Sequence, residues 1–240
     1  MDRAQRDRPP VYRPGEADAS VFKLGARVSA LQSALFVVIG VSGLLLGVDR
    51  LVDDGFAGLA TTHPVAFRTL CAAFVLIAVL GLAITGAEQA LIESTNVGLA
   101  RFGSLLAYLG HGGTIAFFSW WLVHDARSAD GNPAHDAVGN AALDAVAPIA
   151  WGVMFELVFV GTWVWIIAAL LHARGSSPAF VWLSVAKATS FWFAFLALLT
   201  DSKPLILFGL GAVTFVTGPI WHAWIPSLFL RTLRERNDAR

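Results

Sequence analysis

Long apolar stretches alternate with short polar segments along the chain. Six stretches of about 20 residues or more contain few charges, at roughly 28–48, 66–87, 99–123, 146–171, 179–200 and 204–230. A helix rises ~1.5 Å per residue, so about 20 apolar residues cross ~30 Å of hydrocarbon. Lipid offers no hydrogen-bond partner to the backbone, which favours helices within each stretch. The pattern predicts an all-α, polytopic transmembrane bundle of six helices, with both termini in the cytoplasm.

The fifth stretch is the one whose crossing needs an argument. Only the short run from Ala188 to Thr200 separates Lys187 from Asp201, and this run is too short to span a bilayer. The residues before Lys187 are also apolar, and Pro178 marks a clear start. We therefore predict that the fifth helix crosses with Lys187 inside it, and that a tight turn leads to Pro204 near the start of helix six.

Composition and charge placement agree with this architecture. Hydrophobic residues make up 56% and charged residues 14% of the 240 residues, whereas soluble domains carry about a quarter charged residues. With both termini inside, the inner side collects most of the Lys and Arg residues, and the outer side carries only Arg50, Arg68, Arg127 and Lys203. Residues 1–26 and 232–240 are predicted to be polar cytoplasmic tails, the first disordered, around a transmembrane domain at 27–231. The formal net charge of zero gives no reason to expect a nucleic-acid partner.

Four ionisable residues lie well within the predicted spans, namely His111, Glu156, Lys187 and His222. A charge near the bilayer centre costs at least ~2.5 kcal/mol, so such residues usually face the bundle interior or water. Glu156 and Lys187 lie on consecutive helices, and we expect them to form an ion pair; the alternative is a protonated Glu156 with Lys187 reaching toward the inner surface. Tyr108 shares a helix face with His111 and completes the candidate polar site.

These residues support three hypotheses about function. The first is a bundle that binds or transports a proton or a small solute through the polar layer. The second is a structural or partner-interaction subunit in which the layer only fixes helix register. The third is a membrane redox enzyme, although the two histidines differ in depth and fit haem ligation poorly. No metal site, cofactor or catalytic residue is predicted, because no motif for zinc, nucleophile or phosphate chemistry is present and Cys71 is the single cysteine.

Glycine and proline positions bear on how the helices pack. Gly218, Pro219 and Pro226 predict a bend in helix six, because proline removes a backbone donor and clashes with the preceding turn. Gly43 and Gly47 form a GxxxG pair, and small residues from Gly103 to Thr114 form a stripe on helix three. Such stripes let helices approach closely. We expect internal packing, and the alternative is a homo- or hetero-oligomer formed through these faces.

Small and aromatic residues recur at helix starts and within helix four, namely Phe67-Arg68, Gly98-Leu99-Ala100-Arg101, Trp151-Gly152, Phe159-Val160-Gly161, Pro178 and Trp182. In these residues the layout resembles a bacterial group of six-helix integral membrane proteins defined as a domain of unknown function. The resemblance covers roughly residues 27–230 and departs at the loop 125–145 and at Lys187. It implies a bacterial cytoplasmic membrane and transfers no active site.

Overall fold

The computed structural model describes residues 19–46, 59–60, 62–128, 154–200 and 202–238. Within these ranges the chain is helical apart from short turns and contains no strand. The elements are α1 (Ala19–Leu46), α2 (Pro64–Ile92), α3 (Val97–Ser128), α4 (Met154–Ala173), α5 (Pro178–Thr200), α6 (Lys203–Gly211), a π-helical segment (Ala212–Thr217) and α7 (Gly218–Asp238). The all-α class predicted from the sequence is confirmed.

Five helices in the described ranges are long and apolar enough to cross a membrane. They are α1, α2, α4, α5 and the stretch Phe208–Glu235, which belongs to one composite helix made of α6, the π-helical segment and α7. The predicted span 99–123 lies within α3, whose length suffices but whose Gly, Ser, His and Tyr residues lower its hydropathy. The described part of the chain thus has the helices of a multi-pass membrane protein.

The terminal helices are longer than the sequence boundaries suggest. α1 begins at Ala19, so residues 19–26 are helical although the sequence placed them in a disordered tail, and α7 continues to Asp238 rather than ending near 231. The reason is packing between the two helices: Phe22 and Phe229 are fully buried with ring centroids 6.1 Å apart. Residues 1–18, the start of the predicted fourth span and most of the loop 125–145 lie outside the described residues.

Local sequence signals set the turns on the predicted inner side. α3 begins after Asn96, whose side-chain oxygen accepts a hydrogen bond from the Leu99 amide at 2.9 Å and so caps the helix. α4 ends at Ala173, and Gly175, two residues further on, has a φ of 75°. The Ser176 amide there donates to the Leu171 carbonyl, and the Gly175 amide donates to the His172 carbonyl, which is the Schellman arrangement that favours glycine.

Two apolar clusters fill the bundle. The first cluster contains Phe36, Phe67, Phe117, Trp121 and Phe191, and the second contains Phe22, Ile84, Trp163, Phe180, Trp221 and Phe229. α1 packs against α2 and α7, α2 packs against α3, and α5 packs against α6. Buried polar side chains lie between the two clusters, and they form the site described below.

The small residues of α3 pack against α4. A Cβ atom at Gly103 would overlap the Trp163 indole, and one at Gly110 would lie 3.2 Å from the Glu156 Cα. This stripe therefore serves internal packing. A Cβ at Gly43 would meet nothing within 4 Å, and Gly47 lies outside the described residues.

The composite helix changes its hydrogen bonding next to its first proline. The π-helical segment directly precedes Gly218, whose amide donates to the Val213 carbonyl five residues back. Pro219 has no amide hydrogen to continue the ordinary ladder, so a local wider turn relieves the clash that its ring would cause. Pro226 lies further along the chain, in the interior of α7.

Candidate functional site: a buried polar cavity

A small internal cavity of about 30 Å³ lies between the two apolar clusters. A water molecule needs at least ~10–15 Å³ and two to four polar partners, so the cavity has room for one or two waters. Its walls include apolar side chains such as Phe36, Ile77 and Val164. One polar residue of the lining comes from each of α1, α2, α3, α4, α5 and α7, and these residues are, in that order, Gln32, Glu88, His111, Glu156, Lys187 and His222.

Lys187 and His222 are in direct polar contact in the cavity. The Lys187 Nζ lies 3.0 Å from the His222 Nε2 and 3.7 Å from the centroid of the Trp221 ring. Trp221 is held in turn, because its Nε1 donates to the Ser184 Oγ at 2.9 Å. An ammonium over an indole face gains a cation–π attraction, which partly offsets its removal from water.

His222 is also held on its other side by α1. The Ser29 Oγ lies 3.3 Å from the His222 Nδ1 and donates to the His222 backbone carbonyl at 2.8 Å. The ring stacks on Phe36, with centroids 5.3 Å apart. The orientation of His222 is therefore fixed by groups from α1 and α5 together.

His111 and Glu156 form a second pair. The His111 Nδ1 lies 3.3 Å from the Glu156 Oε1 without hydrogen-bond alignment. The His111 ring reaches this position because Gly81 of α2 has no side chain: a Cβ there would lie 2.6 Å from the ring. The Glu156 Oε2 and the Gln32 Oε1 are buried and have no protein partner within the described ranges.

Glu88 was not among the residues singled out by the sequence. It is 4% exposed, and its Oε2 accepts a hydrogen bond from the Trp163 Nε1 at 2.7 Å. Trp163 follows Glu156 by seven residues on α4, a rise of about 10 Å. Glu88 and Glu156 therefore meet α4 at positions about two turns apart, and both line the same cavity.

The structure places the five predicted site residues in two groups. His111, Glu156, Lys187 and His222 all line the cavity, whereas Tyr108 does not and is 38% exposed. The expected Glu156–Lys187 ion pair is replaced by the pairs His111–Glu156 and Lys187–His222. The rotation of each helix about its axis decides which residues meet, and spacing along the sequence does not specify that rotation.

Three further residues of the site escaped the sequence analysis. Glu88 lies one residue beyond the predicted end of the second span at 87, although the apolar residues continue to Ile92 and could have extended that span. Ser29 and Gln32 are uncharged and carry no comparable signal. Gln32 bridges α1 and α2, since its Nε2 donates to the Ile77 carbonyl at 2.9 Å.

Within the described ranges, no group of three or more His, Cys, Asp or Glu side chains could hold a metal ion. The resemblance to a six-helix family of unknown function stays a prediction. No protein-family model, curated protein or solved structure matches the chain.

Proposed function

We propose that the protein is a six-helix transporter of the bacterial cytoplasmic membrane whose buried cavity accepts and releases protons, alone or coupled to a small solute. The observation that carries this proposal is the convergence of Glu88, His111, Glu156, Lys187 and His222 on one cavity between apolar clusters. Ionisable groups are expensive in hydrocarbon, and a membrane protein that gathers five of them usually uses them.

The proposal includes α3 as a sixth span. α3 packs along α2, and its glycines contact α4, both of which are apolar enough to cross. A helix held between two crossing helices, with its polar His111 turned into the bundle, meets lipid mainly through residues such as Phe102, Leu105 and Leu109. Six spans put both termini on one side, and the distribution of Lys and Arg favours the cytoplasm.

The geometry supports a relay across the layer. The His111–Glu156 pair, the Lys187–His222 contact and the Glu88 carboxylate held by Trp163 all border the same cavity. The Lys187–His222 contact can hold a proton on either nitrogen. One or two waters in the cavity would complete hydrogen bonds to the unpartnered oxygens of Glu156 and Gln32.

A proton fits this cavity better than a metal cation or a larger solute. A volume of about 30 Å³ is far below the several hundred Å³ of typical small-molecule pockets. The Lys187 ammonium would repel a metal cation, whereas a proton can move between groups that already bear charge. A coupled solute would need a conformation with a wider cavity.

The test is proton uptake into proteoliposomes that contain a pH-sensitive dye and are driven by a potassium diffusion potential. We expect Lys187→Met and Glu88→Gln to lower the uptake rate by on the order of 50-fold. Each variant removes a group that binds the proton, and a charge without such a group costs at least ~2.5 kcal/mol in hydrocarbon. Lys23→Met and Glu235→Gln are the matched controls, since they make the same chemical changes at exposed positions.

Size-exclusion chromatography and thermal unfolding of each variant show whether it is folded. Equal uptake by wild type and by both cavity variants, with all of them folded, would refute the proposal. If the cavity variants instead lost stability while the wild type moved no protons, the polar layer would serve to fix helix register, as the structural-subunit hypothesis states.

A further inference from the structure

We propose that Ser29 and Pro226 together fix the tautomer of His222, so that its Nδ1 bears the proton and its Nε2 is free to accept from Lys187. This inference rests on the proposed function for its biological role, because it makes Ser29 a positioning residue of the relay. Its structural content can be tested separately.

The arrangement begins with a missing hydrogen bond in α7. In an α-helix the carbonyl of residue 222 accepts from the amide of residue 226. Residue 226 is proline, which has no amide hydrogen, so the His222 carbonyl lacks the usual donor from its own helix. A buried carbonyl without a donor is costly, and the Ser29 hydroxyl on α1 supplies one at 2.8 Å.

The single proton of a serine hydroxyl then determines the role of the neighbouring nitrogen. Because the Ser29 proton points to the carbonyl, the Ser29 oxygen can act only as an acceptor toward the His222 Nδ1 at 3.3 Å. The Nδ1 must therefore carry the hydrogen. In a neutral imidazole the other nitrogen, Nε2, then has the free lone pair.

The Nε2 lone pair of His222 faces the Lys187 ammonium. The Lys187 Nζ lies 3.0 Å from the His222 Nε2, and an ammonium can only donate. The opposite tautomer would place an N–H against the ammonium and leave Nδ1 as an unmatched acceptor. Proline in α7, serine on α1 and lysine on α5 thus specify one state of the same ring.

Ser33 provides a control of the same kind. It lies one turn along α1, and its Oγ donates to the Pro219 carbonyl at 3.0 Å. The bond again joins α1 to the composite helix through a serine and a backbone carbonyl, but no histidine side chain takes part. Removing it tests the loss of an interhelical hydrogen bond by itself.

The experiment is ¹⁵N NMR of the full-length protein in detergent micelles, with labelled histidine and with His222→Asn for assignment. We expect the wild type to show a protonated Nδ1 and an unprotonated Nε2. Lys187→Met removes the second determinant, and we expect Ser29 alone to preserve the Nδ1–H form. Adding Ser29→Ala should cause its loss and a rise of the Nε2–H form, whereas adding Ser33→Ala or Ser29→Thr should preserve it.

A neutral His222 with the proton on Nε2 in the wild type would overturn the inference. A second contrary result would be equal tautomer populations in Lys187→Met with and without Ser29→Ala. Proton uptake separates this outcome from failure of the proposed function. If the inferred tautomer is observed but the protein takes up no protons, only the transport role is ruled out. Uptake with the opposite tautomer removes the positioning role alone.

Discussion

Replacing Gly81 by alanine should disturb the cavity with the smallest possible change in side chain. An ideal Cβ at this position would lie 2.6 Å from the His111 Cε1 and Nε2 and 2.8 Å from its Nδ1. Real Cβ atoms do not approach other atoms this closely. The His111 ring or the α2 backbone must therefore move, and the 3.3 Å approach of His111 to Glu156 is lost or lengthened.

Two opposing terms set the expected change in the free energy of unfolding. Alanine favours the helix over glycine by roughly 1 kcal/mol. Inserting a methyl group into a packed interior costs about 1–3 kcal/mol. A control that shares the first term but not the second isolates the packing cost.

Gly86→Ala is that control, because it lies on the same helix and a Cβ there would meet only the Tyr108 hydroxyl at 3.7 Å. The two variants should therefore differ by the packing cost alone, about 1–3 kcal/mol, with Gly81→Ala the less stable. At roughly 2–4 °C per kcal/mol for a chain of this size, their unfolding midpoints should lie about 2–12 °C apart.

Thermal unfolding in detergent, followed by tryptophan fluorescence, measures both midpoints. In the proteoliposome assay, Gly81→Ala should also lower proton uptake while Gly86→Ala leaves it unchanged. Coincident unfolding curves for the two variants would refute the claim that Gly81 exists to admit the His111 ring.

Two further predictions concern buried groups elsewhere in the bundle. Trp163→Phe should destabilise the protein by about 1–3 kcal/mol, because Glu88 loses the indole donor at 2.7 Å. Trp165→Phe, at a half-exposed position, is the control, and equal unfolding midpoints for the two variants would contradict this account. Cys71 is fully buried in the first apolar cluster, so a maleimide should label it only as the protein unfolds with denaturant, and rapid labelling of the folded protein would show that this cluster is open.

The helical class and most span positions could be read from the sequence because they depend on length and hydropathy alone. α5, for example, was predicted at 179–200 and is observed at Pro178–Thr200, with Lys187 inside it. Ends fixed by contacts between distant segments were missed. No local sequence signal near Phe22 indicates that its ring packs on Phe229, and for this reason residues 19–26 were predicted to belong to the tail.

The composition of the cavity was harder to predict for the same reason. Hydropathy marks His111, Glu156, Lys187 and His222 as unusual, but it gives no rotation about the helix axis, and so the partners were assigned wrongly. Glu88 was missed because the predicted second span ended at residue 87, one residue before it. Ser29 is understood only when Pro226 is seen to free the His222 carbonyl, which requires both helices in place.

The charges around the cavity explain why this layer would hold a mobile proton in the proposed function. If Glu88 and Glu156 are ionised and Lys187 is protonated, the layer has one uncompensated negative charge in a low-dielectric environment. One additional proton in the cavity would then make the layer neutral and lower the cost of burial. Loss of that proton raises the cost again, so the site favours uptake of a replacement.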